Sequence, residues 1–125
     1  LNCLLDSHVL LWWLGLDGDR LSSPVREAIA KADQACISVA SVWELEIKRS
    51  LGKLDLPVAE WRALPASGLT FIEITLDDAT MAAALPSIHR DPFDRMLVAQ
   101  AKNRGLTLVT RDARLLEYGV PSLKA

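Results

Sequence analysis

A chain of 125 residues, half of them hydrophobic, has the apolar content to fold and the length for one domain, which excludes a disordered chain and two ordinary domains. A formal net charge of −2 excludes the strongly basic footprint of a protein held to nucleic acid by bulk charge. With no signal peptide and no apolar run of about 18 residues, neither export nor a membrane span is expected, and a cytoplasmic location is.

Short apolar runs alternate with helix-period segments along the chain. That is the pattern of βαβ units, so the expected fold is α/β, a central mostly parallel sheet of about four to five strands flanked by helices, with residues 1–125 as a single domain. LNCLL, beginning at Leu1, is the first strand, with little ahead of it. SHVLLWWLGL is a helix closed at Gly15 and Gly18. A second helix runs from Ser23, its cap, and Pro24, its first helical residue, to about Ala32. ACISV is the second strand and SVWELEIKRSLGKL the next helix, weakened or ended at Gly52. Pro57 opens a short helix to about Leu64. LTFIEIT is the third strand, and DDATMAAAL a helix ended by Pro86. Asp91-Pro92 opens the longest helix, which stops at Gly105. LTLVT is the fourth strand, ARLLEYG a helical turn, and VPSLKA an edge strand.

Topology gives the acids their meaning. In right-handed crossovers, helices that follow strands start near the carboxyl edge of the sheet, where open α/β sheets bind ligands. Asp6 and Asp112 follow strands; Glu44 and Asp94 lie about one turn into helices. All four belong to that edge. Asp17, Asp19 and Asp55 follow helices and belong near the opposite one. Asp77 and Asp78 follow the third strand and are further members by position.

Each acid also has a plainer role. Asp6 fits a helix cap. Ser41 and Glu44 fit a capping box, and Glu44 with Lys48 an i, i+4 ion pair. Glu46 is close to Glu44, and helical geometry does not separate the two. Asp91 and Asp94 fit a cap and a third-position acid, and Asp112 fits a loop. Together, however, carboxylates at one edge raise one another's pKa unless a cation is present. Mg²⁺ takes such oxygen ligands, and its chemistry suits phosphodiester hydrolysis. Without these four acids the remaining charge is basic by two, so a negative pocket with a mildly basic rim is expected.

LLDSHVLLWWL, ISVASVWELEIK, IHRDPFDRMLVAQA and LTLVTRD, in that order, resemble the PIN-domain family, specifically its VapC-type ribonuclease toxins of type II toxin–antitoxin systems. The resemblance covers essentially the whole chain. It implies a Mg²⁺- or Mn²⁺-dependent endoribonuclease whose site acids are Asp6, Glu44, Asp94 and Asp112, and so prefers Glu44 over Glu46. Asp6 and Asp94 are implied as direct metal ligands, with Glu44 and Asp112 acting directly or through water. Ser7 and Thr110 match small hydroxyl positions that orient the acids, and Asp91 is a helix cap with an auxiliary role open. The resemblance further implies a homodimer, and a cognate antitoxin whose tail covers the acids, an Arg-bearing tail fitting their charge. Operator DNA would be met only through that antitoxin.

Arg90, Arg95, Arg111 and Arg114 flank the acids and are candidate contacts to RNA phosphates, alongside ordinary surface or ion-pair roles. His8 and His89 lie near the same edge; His8 is read first as helix packing and His89 as a loop residue, with a histidine base as the alternative for either. Trp12, Trp13, Trp43 and Trp61 are read first as core, with one of the adjacent pair Trp12 and Trp13 left partly outside and fit for an interface. Cys3 and Cys36 lie in apolar strands as buried free thiols. Two rivals remain: a PIN-fold binding module without catalysis, and a receiver-type signalling domain, which lacks here an acidic pair after strand one and a late Lys-Pro.

Overall fold

The structure is a computed structural model that describes residues 1–16, 18, 21–56 and 61–125. Asp17, Asp19 and the start of the helix expected from Pro57 lie outside the described residues. The elements are β1 (Asn2–Leu5), α1 (Ser7–Trp13), α2 (Ser23–Ala30), β2 (Gln34–Ser38), α3 (Val39–Ser50), a 3-10 segment at Trp61–Ser67, β3 (Leu69–Ile72), α4 (Leu76–Ala84), α5 (Pro92–Arg104), β4 (Thr107–Thr110), α6 (Ala113–Leu116) and β5 (Ser122–Lys124).

The five strands form one sheet in the order β3-β2-β1-β4-β5, and every pairing is parallel. Parallel strands covered on both faces are apolar on both faces, and β1 shows it. Cys3 and Leu5 enter one core cluster with Val9, Leu10, Ile37 and Val109. Leu4 points the other way, among Cys36, Leu97, Val98 and Leu108. Leu4, Leu5, Ile37, Leu108 and Val109 are fully buried. Cys3 and Cys36 are buried free thiols, as expected, and burial pushes the Cys3 thiol up to about 11.

Three local expectations change. Ser22, not Ser23, caps α2, because Pro24 can sit as easily one residue further in. There is no loop between β2 and α3: Ser38 ends the strand and its hydroxyl accepts the Ala40 amide at 3.0 Å, so α3 starts before Ser41 and no Ser41–Glu44 capping box forms. Ser41 is instead buried.

The third change concerns Asp77 and Asp78. The two helices expected between β3 and β4 are both present and lie antiparallel, with Arg104 at the end of α5 bonded to Asp78 at the start of α4. α5 starts at the carboxyl edge, so α4 must start at the other end. Asp78 is fully buried, bound by Arg104, Asn103 and Gln100, and closes a capping box with Thr75. It is no member of the acidic site.

Candidate metal centre

The order in which strands are added across the sheet reverses at β1: β2 lies on one side of it and β4 on the other. The crevice beyond the carboxyl ends of β1 and β4 is the switch point where this class of sheet binds ligands. A cavity of about 150 Å³ opens there, lined by Asp6, Ser7, His8, Glu44, Lys48, Asp91, Asp94 and Asp112.

Asp6 is placed by the end of β1 and by its own capping of α1. Its Oδ1 accepts the Val9 amide at 2.8 Å, and its Oδ2 accepts the Thr110 hydroxyl at 2.5 Å. Thr110 in turn accepts the Asp112 amide at 3.1 Å, so one hydroxyl at the end of β4 ties the first acid to the last. Burial pushes the Asp6 carboxyl above its ordinary pKa; the Thr110 and Val9 bonds and nearby His8 oppose this, while Glu44 adds to it.

Glu44 reaches the cavity from the second turn of α3. The Ser7 hydroxyl donates to its Oε1 at 2.5 Å, and Lys48 Nζ stands 3.9 Å from Oε2. Glu46 points elsewhere, pairing with Arg49 at 2.8 Å and accepting the Trp61 ring N–H at 3.3 Å. The structure thus separates the two glutamates that helical geometry left together.

Asp91 caps α5, its Oδ1 accepting the amides of Phe93 at 2.8 Å and Asp94 at 3.3 Å. That cap aims the first turn of α5, and hence Asp94, at the cavity. Asp94 is pushed up to about 7, by burial first and then by the charges of Asp91 and Glu44, with His89 opposing and Asp6 adding. Asp112 caps α6 through the Arg114 amide at 2.9 Å. Burial acts to raise its carboxyl, but the bonds from Arg114 and His89 prevail and hold it below the ordinary value.

His89 lies in the loop at the site edge, as expected, but its bonding to the acids was not read from the sequence. It is buried, and its Nε2 lies 3.0 Å from both Asp94 Oδ2 and Asp112 Oδ2. The one signal was its position two residues ahead of a helix cap at the site edge. His8 lines the cavity and stacks on Trp12 at 5.9 Å.

The four arginines part company. Arg95 is removed from the candidate phosphate contacts, because its guanidinium donates to the carbonyls of Ala82 at 2.8 Å, Leu85 at 2.9 Å, Pro86 at 3.0 Å and His89 at 3.1 Å. It ties the end of α4 to the start of α5. Arg111 lies 4.2 Å over the Trp12 ring and donates to the Ala125 carbonyl. Arg90 and Arg114 are exposed at the rim, Arg114 Nε standing 3.6 Å from Asp112. Arg95→Met is expected to cost about 2–3 kcal/mol of stability, as charged donors are removed from several carbonyls. Arg90→Ala and Arg114→Ala should leave the melting temperature within about 1 °C (surface exchanges cost under ~0.5 kcal/mol). Thermal melts of the three variants check this; an unchanged melt for Arg95→Met would return it to the surface set.

Among the tryptophans, Trp12 is buried and Trp13 partly so, with Arg26 over its ring at 5.8 Å. The core reading fails for Trp43. It is 61% exposed, meets Phe93 edge-on at 5.1 Å, and with it borders an apolar groove beside the acids. No helix among the described residues is long and apolar enough to cross a membrane.

Comparison with known proteins matches residues 3–121 to the PIN domain family. The chain is 37% identical over 121 residues to Ribonuclease VapC22 of Mycobacterium tuberculosis (strain ATCC 25618 / H37Rv), an alignment covering 94% of this chain and 92% of that protein. Among solved structures, a toxin-antitoxin complex from Klebsiella pneumoniae superposes with a TM-score of 0.67 at 22% identity, covering 98% of this chain and 97% of that one. DNA-bound VapBC from Salmonella typhimurium gives 0.67 at 20% identity, covering 99% and 98%. These two likenesses concern the fold.

Proposed function

Since the chain belongs to the PIN-domain family and within it to the VapC-type ribonuclease toxins, a metal-dependent nuclease class, we propose that it is a Mg²⁺- or Mn²⁺-dependent endoribonuclease acting through Asp6, Glu44, Asp94 and Asp112. The observation that carries this reading is the convergence of those four carboxylates and Asp91 on one cavity, with Asp94 pushed up to about 7 by burial and its acidic neighbours. Oxygen donors so arranged fit a hard divalent cation and little else.

When bound there, such a cation polarises a phosphoryl oxygen and lowers the pKa of an attacking water. The chain's own residues do the rest. Asp6 and Asp94 are the proposed direct ligands, with Glu44 and Asp112 holding the cation or its waters. Thr110 and Ser7 fix the carboxylates of Asp6 and Glu44 by the two hydroxyl bonds already described. Asp91 aims α5, and Arg90 and Arg114 hold RNA phosphates at the rim. A cognate antitoxin that covers the acids, a homodimeric state, operator DNA reached only through the antitoxin, and action in the cytoplasm as a single domain belong to the same proposal. The likeness to toxin-antitoxin complexes supports the antitoxin partner.

Expression of wild type beside Asp6→Ala, with cut RNA ends mapped by sequencing, tests the reading. Growth arrest and discrete cut sites with wild type alone are expected. Equal toxicity of both would count against the acids, and failure of purified protein to cut any cellular RNA with Mn²⁺ would favour a silent binding module.

A pH dependence follows from Asp94. A carboxyl raised in the folded state binds its proton more tightly there than in the unfolded chain. Metal-free stability should therefore fall as pH rises from about 4 to about 7. Cation binding needs the deprotonated form, so stabilisation by Mn²⁺ should be small at pH 5.5 and full at pH 8. Melting curves at both pH values, with and without Mn²⁺, check this; a metal-induced shift independent of pH would contradict it.

A further inference from the structure

His89 stands behind the acids without lining the cavity. The residue is held at its ring and at its backbone. Nδ1 accepts the Asp91 amide at 3.2 Å, and the backbone amide of His89 donates to the Tyr118 hydroxyl at 2.9 Å, a hydroxyl that donates to the Pro86 carbonyl at 3.0 Å. An acceptor at Nδ1 leaves the ring proton on Nε2. That proton faces Asp94 Oδ2 and Asp112 Oδ2, each 3.0 Å away.

We propose that His89 is a positioning residue of the nuclease site: its Nε2–H gathers one oxygen of Asp94 and one of Asp112, and so sets the direction from which Asp94 meets a divalent cation. Among the described residues the other oxygen of Asp94 has no protein hydrogen bond, whereas Asp112 Oδ1 accepts the Arg114 amide. The clamp thus leaves Asp94 one oxygen available to the cavity and holds Asp112 by both of its oxygens. His89 Nε2 and the two acids stand close enough together to hold an ion themselves; with the proton on Nε2, His89 serves as a donor to the ligands and not as a ligand. A groups-behind-the-ligands role of this kind is worth roughly 10–100-fold in metal affinity. The inference rests on the nuclease reading only in that the acids bind a cation.

Two measurements test it. In the first, Mn²⁺ alone is titrated calorimetrically into wild type, His89→Gln and His89→Met. Gln keeps an N–H donor of similar reach and Met does not. Expected are a loss of about 10–100-fold in Mn²⁺ affinity for His89→Met, and recovery to near wild type for His89→Gln. Equal affinity in all three, or an equal loss in both variants, would overturn the proposal. The second uses wild type only and so does not depend on either variant folding. The nitrogen-correlated spectrum of the His89 ring should show a proton on Nε2 that persists at saturating Mg²⁺. Its disappearance on adding Mg²⁺ would make His89 a ligand and overturn the positioning role. If wild type itself binds no Mn²⁺, the nuclease reading fails instead.

Discussion

Asp94→Asn should stabilise the metal-free protein at pH 8 and at the same time abolish RNA cleavage. The carboxylate is charged at that pH against burial and the fields of Asp91, Glu44 and Asp6. The amide is neutral and nearly the same size, and its oxygen can still accept the His89 Nε2–H. Relief of about 1–3 kcal/mol is expected, discounted from about 1.4 kcal/mol per pKa unit because the side chain is partly open to solvent. That corresponds to several degrees in melting temperature for a domain of this size. The gain should shrink as pH falls from about 7 and vanish only below about 4, where the carboxyl is protonated in the folded and the unfolded chain alike. Cleavage should fall by about 10²–10³-fold or more, the kinetic equivalent of losing several kcal/mol of cation-borne stabilisation. The melting gain separates this outcome from simple damage: a folding defect would lower activity and stability together. A variant that melts like wild type at pH 8 would show that the charge at this position is not strained, and one that cuts RNA normally would remove Asp94 from the site.

The opposite sign is expected at Asp78, which is fully buried. Burial alone would raise its carboxyl, but Arg104, Asn103, the Thr75 amide and Gln100 hold it far below the ordinary range. Arg104 meets both oxygens at 2.9 Å. Asp78→Ala strips the partner from a guanidinium and breaks the cap of α4 together, a loss of about 3–5 kcal/mol. The melting temperature should drop by more than about 10 °C, while RNA cleavage well below the melt should stay within about twofold, because Asp78 does not border the acidic cavity. Since the native carboxyl is depressed, wild type holds this stabilisation above the ordinary Asp range and loses it as pH falls below about 4. A mild loss of stability would mean that Arg104 finds another acceptor; a large loss of cleavage in the folded variant would tie α4 to the chemistry.

These two acids mark how far the sequence could be read. The sheet was legible because β1, β2 and β4 are buried on both faces and so stand out as apolar runs with acids at their ends. Asp6 and Asp112 could be placed from their strands and Asp94 from its helix cap, all local signals. Asp78 could not, because its position depends on how two consecutive helices pack between β3 and β4. Glu44 and Glu46 differ by about 200° around α3, yet which faces the crevice depends on where β1 and Ser7 lie. Arg95 misled for a related reason: it borders an acid in sequence, but carbonyls from α4 take its guanidinium. His89 was the least legible, since its ring is oriented by the Asp91 amide and its backbone is held by Tyr118, a residue far along the chain.

The bond from Thr110 to Asp6 spans 104 residues of sequence, and β4, the strand that carries Thr110, pairs directly with β1. During synthesis, β1 waits with one edge open until nearly the whole chain has been made, and Asp94 and Asp112 are themselves late arrivals. A nascent chain therefore lacks the assembled acidic cavity. Long-range parallel pairing is slow to form, so the acids are brought together among the last steps of folding. That order is set by topology: the acidic cavity is complete only once β4 has paired with β1.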